Sequence, residues 1–139
     1  MQFEYISFIS AKTDKLWSYF ENAQLFSLFQ IAPLQTFSFQ EGEGFSLGTN
    51  DIPVLNAQFK LIKKNKVIHL ALNYAGTEGD PMIVKIIFYP LGKMSSLSII
   101  IDGLEDGDSR LDVARNHWPG AISQLKTIIE TGNSLPWPQ

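Results

Sequence analysis

Residues 109–131 read SRLDVARNHWPGAISQLKTIIET, and the shape of the whole chain follows from how this stretch is understood. Leu111, Ala114, Trp118, Ile122, Leu125 and Ile129 recur at spacings of three and four, which lines them up along one stripe of a helix. Asp112, Asn116, Lys126 and Glu130 fall largely elsewhere. Asp108 or Ser109 can cap the start, and Gly132 suits the left-handed residue that stops a helix. Pro119 has no N–H and crowds the preceding turn, so a kink or a division near His117 is expected. A long helix with one apolar stripe needs a broad apolar surface to lie against.

That surface lies upstream. From Leu34 to Gly103 the period falls to two. Phe37 and Phe39 alternate with Thr36 and Ser38, and Phe45, Leu47 and Thr49 continue after the turn Glu41-Gly42-Glu43-Gly44. Leu55, Ala57, Phe59 and Leu61 face one way, with Asn56, Gln58 and Lys60 opposite. Ile68, Leu70, Leu72 and Tyr74 follow, then Met82, Val84, Ile86 and Phe88, then Leu97, Ile99 and Ile101. One apolar and one mostly polar face mark an antiparallel sheet covered on a single side. Short turns between successive strands make a meander the economical topology. Before it, Gln2 to Ile9 reads as a strand, and Ser10 to Asp14 carries helix-start residues. The helix takes in Leu16, Trp17 and Phe20 and extends toward Leu25, Leu28 and Phe29 before Pro33. The fold expected is α+β: a curved antiparallel sheet around a long C-terminal helix, in one domain over 1–132, with an irregular tail over 133–139.

Composition narrows the function classes. Apolar residues make up 45% and charged residues 18%, a globular balance. No run of about 18 apolar residues is present, so no membrane span is expected. With eleven basic against fourteen acidic residues the chain lacks the basic stripe that nucleic acid requires. Its one basic cluster, Lys60, Lys63, Lys64 and Lys66, falls at a hairpin turn, where lysines blunt strand ends. There is no cysteine, hence no disulfide, thiolate metal site or cysteine nucleophile. Residues 1–10 show no signal-peptide pattern, and a cytoplasmic location is expected.

Several residues resemble a known family. Ile9-Ser10-Ala11-Lys12-Thr13-Asp14-Lys15-Leu16-Trp17 is similar to the opening of the START-like (SRPBCC) superfamily, in which an Ala-Pro turn leads into a helix carrying Val-Trp or Leu-Trp. Ile83 to Leu104, followed by Glu105-Asp106-Gly107-Asp108, resembles that family's paired late strands and acidic loop. His117-Trp118 and the run Ala121 to Lys126 resemble its terminal Gly-Trp and Leu-x-x-Leu-Lys pattern. The combination is most similar to the branch related to the activator of the ninety-kilodalton heat-shock-protein ATPase. Lys12 stands where the family usually has proline, and His117 where it has glycine. The resemblance implies the helix-grip fold. It also implies one of three activities: holding an apolar ligand, a co-chaperone-like protein interaction, or aromatase- or cyclase-like catalysis.

Catalytic constellations are weak. Gly44-Phe45-Ser46-Leu47-Gly48 is a literal G-x-S-x-G, but Thr49-Asn50-Asp51-Ile52-Pro53 is unsuited to the helix that a nucleophile elbow requires. His69 and His117 are the only histidines and have no ligand spacing, so both are read as surface or helix-packing residues. Glu105, Asp106 and Asp108 lack the spacing of a calcium loop and suit a helix N-terminus. No catalytic residue, metal or cofactor is assigned. The inner lining expected is Phe37, Phe39, Phe59, Leu70, Leu72, Tyr74, Phe88, Ile99, Trp118, Ile122 and Leu125, with one hydroxyl, one indole N–H and no charge. Such a face is plain core first and a pocket for an apolar small molecule second, and among functions a module binding such a molecule is the leading expectation. A protein partner such as the heat-shock ATPase is the alternative.

Overall fold

The period-two region builds a single antiparallel sheet in the computed structural model, which describes residues 2–136. Seven strands take part: β1 (Phe3–Ile9), β2 (Leu34–Phe37), β3 (Gly44–Thr49), β4 (Ile52–Lys63), β5 (Val67–Tyr74), β6 (Met82–Leu91) and β7 (Met94–Ile101). Their order across the sheet is β1-β7-β6-β5-β4-β3-β2. Six strands therefore form the expected meander, and β1 returns to pair antiparallel with β7, Tyr5 opposite Ile99. The sheet curves around α3 (Ser109–Thr131), the helix-grip arrangement.

Side-chain alternation follows the sequence along most strands. Ile68, Leu70, Leu72 and Tyr74 of β5 are buried, as are Met82, Val84, Ile86 and Phe88 of β6 and Leu97, Ile99 and Ile101 of β7. β4 departs from it twice, skipping Val54 where it pairs with β3 and shifting again where it pairs with β5. The register shifts between Phe59 and Leu61, so Leu61 lies opposite His69 on the outer side while Ile62 pairs with the buried Ile68. A bulge adds one residue and reverses the face of everything after it, which is why Leu61 leaves the inner set.

The first helical region is two helices, α1 (Thr13–Glu21) and α2 (Ala23–Ser27). Asn22 is extended between them, and its side chain accepts from the Leu25 backbone N–H at 3.0 Å, starting the second helix afresh. The break rotates the apolar face. Phe26 and Phe29 are buried whereas Leu28, expected inside, is 47% exposed.

α3 starts and stops as expected, with the Asp108 carboxylate accepting from the Arg110 N–H and Gly132 in the left-handed region at φ 78°. Pro119 does not divide it, and the helix runs unbroken for 23 residues. Its C-terminal half is tied to the end of β1: Glu130 accepts from the Ser10 N–H, and Lys126 donates to Glu130 and to the Phe8 carbonyl. Beyond it, residues 133–136 are irregular, and the remainder of the expected tail, 137–139, lies outside the described residues. Buried Gln124 pins this segment, donating to the Leu135 carbonyl and accepting its N–H.

Candidate functional site

Of the eleven expected lining residues, nine are buried between sheet and helices: Phe59, Leu70, Leu72, Tyr74, Phe88, Ile99, Trp118, Ile122 and Leu125. Phe37 and Phe39 are half-buried and pack against the same core. The aromatic rings form one connected group. Trp17 meets Phe88 with ring centres 5.0 Å apart, Phe20 meets Phe88 at 5.2 Å, and Phe26 meets Phe45 at 4.8 Å. Edge-to-face contacts dominate, the geometry that ring quadrupoles favour. The space left among Phe20, Phe26, Phe29, Phe45, Phe59 and Trp118 is about 10 Å³. A single water needs about that much. Side chains therefore fill most of the interior expected to be a pocket.

A polar group interrupts this apolar interior at the end of β5. Tyr74 Oη and His117 Nδ1 lie 2.7 Å apart, and both residues are buried. Burial holds His117 down to about 4, so the ring is neutral at ordinary pH. Burial likewise drives the Tyr74 hydroxyl well above its usual value. The neighbouring Trp118 indole slightly offsets that rise, although its Nε1 does not reach hydrogen-bond geometry with any partner. His117 Nε2 is also buried and unpartnered. The His117 and Trp118 rings are 4.6 Å apart.

His117 is the residue that sequence reasoning passed over. Read as surface or helix packing, it is packed, only 4% exposed, and it adds a third polar side chain to an inner face expected to offer only Tyr74 and the indole. The signal was present: Ala114, His117, Ala121 and Gln124 form another series at spacings of three and four, and all four are buried. The buried face of α3 is thus wider than the stripe through Trp118.

The remaining candidates have structural explanations. Ser46 lies in β3 with its hydroxyl 2.8 Å from that of Thr36, and the flanking glycines serve strand contact. A Cβ on Gly44 would fall 1.9 Å from the Ala57 carbonyl oxygen, and one on Gly48 would fall 2.2 Å from that of Ile52. His69 is on the outer face between β4 and β6, where partial burial and then Lys85 and Lys63 lower its pKa. In the acidic loop Asp108 pairs with Arg110 at 2.7 Å, and that guanidinium holds its carboxyl down at about 2. Arg110 also donates to the Asp80 carbonyl, fastening the loop after β5 to the start of α3. Among the described residues no group of three or more His, Cys, Asp or Glu could hold a metal, and no helix is long and apolar enough to cross a membrane.

Comparison with known proteins agrees with this architecture. No family model matches the sequence, and no curated protein matches it. Solved structures do. The Aha1 dimer from Colwellia psychrerythraea superposes with a TM-score of 0.81 at 10% identity, covering 96% of this chain and 99% of that one. An HSP90 activator from Plasmodium falciparum gives 0.77 at 18% identity, over 92% and 95% of the two chains. DynU16, from the dynemicin biosynthetic locus, gives 0.80 at 13% identity, covering 99% of this chain and 51% of that one. The chain has the START-like, helix-grip fold shared by Aha1-type domains and by a protein of a natural-product locus.

Proposed function

We infer that the protein binds a small apolar molecule between the sheet and α3. The observation that carries this reading is the continuous apolar and aromatic inner face, with its remaining space bounded by five phenylalanines and Trp118. Aromatic side chains offer large contact areas to an apolar ligand. With about 10 Å³ free, entry requires those rings to move, so the bound state differs from the structure described. DynU16, of a biosynthetic locus, has the same fold, which is compatible with a small organic ligand. The test is titration with naphthalene-based apolar probes, followed by tryptophan fluorescence and by amide shifts. Saturable binding with shifts confined to the inner face supports the reading, and the absence of saturable binding by any probe refutes it.

A separate observation favours protein interaction as a second reading. The outer face near β1 exposes Ile6, Phe8, Tyr89, Leu91 and Met94. The register sets Phe8 and Tyr89 on either side of Ser96 and places Leu91 opposite Met94, so the group is continuous across three strands. Apolar patches of this kind commonly mark contact surfaces. Two structural neighbours, an Aha1 dimer and an HSP90 activator, direct the test to the heat-shock ATPase. Stimulated ATP turnover that is lost in a Phe8→Ser, Tyr89→Ser double variant supports this role. No binding and no stimulation removes it.

A further inference from the structure

Two adjacent residues of α3 carry ring N–H groups into the interior, and neither reaches a partner in hydrogen-bond geometry. The protonation pattern follows from a count of donors and acceptors. Tyr74 Oη has one hydrogen-bond partner among the described residues, His117 Nδ1 at 2.7 Å. The hydroxyl proton has nowhere else to go, so Tyr74 donates and Nδ1 accepts. A neutral imidazole then carries its own proton on Nε2, and Nε2 is unpartnered. Trp118 Nε1 can only donate, and although it neighbours the Tyr74 hydroxyl it makes no hydrogen bond of good geometry to it. Both residues are more than nine-tenths buried, at 4% and 5% exposure. Buried donors in folded proteins nearly always have partners, because an unpaired one forfeits its hydration for nothing. Of the three, Trp118 alone borders the space among the phenylalanines. His117 is packed behind it at 4.6 Å between ring centres, so a ligand oxygen reaches the imidazole only past the indole.

We propose that Tyr74, His117 and Trp118 form a polar anchor for the acceptor oxygen of a neutral, mostly hydrocarbon ligand. The proposal rests on the small-molecule reading and adds the chemistry that ligand must carry. Two donors select an acceptor, and a carbonyl oxygen suits them: it has two lone pairs and no proton of its own to place. Tyr74 acts through His117, fixing the tautomer that points a donor from Nε2. A carboxylate is disfavoured because no lysine or arginine is among the buried residues to balance its charge. Burial also keeps His117 uncharged, so the imidazole offers a hydrogen bond and not a cation.

The experiment compares 2-acetylnaphthalene with 2-isopropylnaphthalene, two planar probes of nearly equal size that differ in the carbonyl. Both are titrated into the full chain labelled with 15N, and the His117 imidazole and Trp118 indole resonances are followed. The acetyl probe is expected to bind about tenfold more tightly. It should also move the Nε2 and Nε1 N–H signals as hydrogen bonds form. His117→Phe should abolish the preference between the probes. Equal affinities, or ring N–H signals that do not respond to the carbonyl, would mean that the donors hold water only. That result overturns the anchor and leaves the small-molecule reading in place. If neither probe binds, both fall. Should His117→Phe fail to fold, the two-probe comparison on the unmodified protein decides the matter unaided.

Discussion

Titrating stability between pH 4 and 6.5 tests the burial of His117 directly. In the folded protein desolvation lowers its pKa from 6.5 to about 4, while in the unfolded chain it regains the ordinary value. Between those limits the unfolded state binds a proton that the native state refuses. Unfolding free energy therefore rises with pH across the window, and acidification from 6.5 to 4 removes stability. A shift of this size corresponds to about 3 kcal/mol at full effect, a large share of a typical domain's total of roughly 5–15 kcal/mol. Urea unfolding followed by far-UV circular dichroism at half-unit pH steps reads the slope. His69 contributes in the same direction through its own lowered pKa, and Asp108 and Glu130 lose their stabilising contributions only as pH falls below the ordinary carboxylate range. The comparison with His117→Phe isolates the buried ring: the variant should lose most of the slope, whatever its absolute stability. An unmodified protein whose midpoint is flat from pH 6.5 to 4, or a variant that keeps the same slope, would refute a neutral, buried His117.

Other changes test the packing. Trp118→Ala should cost about 3 kcal/mol, the low end for large-to-small core changes, because truncation also removes an indole donor that has no partner; a loss under 1 kcal/mol in chemical denaturation would show a loosely packed site. Phe26→Ala, deep among Phe20, Phe29, Phe37 and Phe45, should cost about 3–5 kcal/mol, whereas Leu28→Ala should stay within about 0.5 kcal/mol. Equal effects would place the break at Asn22 wrongly. Gly44→Ala puts a methyl group 1.9 Å from the Ala57 carbonyl oxygen, so it should cost about 1–3 kcal/mol or more and shift amide signals along β3 and β4. Hydrogen exchange should be faster in α2 than in β5 or β6, since a five-residue helix relies on Phe26 and the Asn22 cap to hold it.

Much of the architecture was legible in the sequence because two periods carry it. Period two over residues 34–103 and spacings of three and four over 109–131 depend on local geometry, and both survive in the structure. What escaped are places where one residue interrupts a period. The bulge after Phe59 reverses Leu61 and Ile62, and no single residue type announces it, since Lys60 resembles any outward strand residue. Asn22 ends α1 and caps α2, so Leu28 leaves the core while Phe26 enters it. The burial of the candidate site's apolar residues was legible for the same reason that the strands were. The site's polar part was not, because burial of His117 depends on Tyr74, 43 positions away, reaching it across the fold. Gln124 is a parallel case, buried through its bonds to the tail at Leu135.

The two functional readings use opposite faces of the same strands, and the alternation that complicates the choice also separates them. On β6 Phe88 points into the aromatic group while its neighbour Tyr89 is 60% exposed on the outer patch. On β1 Ile9 is fully buried and Phe8 is 54% exposed beside it. Phe8→Ser and Tyr89→Ser remove outer apolar area without touching an inner ring, so they should leave both probe binding and the pH slope of His117 unchanged. Changes at His117 or Trp118 act from beneath the sheet and leave the outer patch intact. A partner bound on the convex face would sense the interior only if filling the space near Trp118 altered the sheet's curvature. In that case probe binding and partner affinity would shift each other by the same factor, as thermodynamic linkage requires. Independent affinities would instead mean that the filled core acts as a rigid platform, with any ligand site and any docking face working separately on one fold.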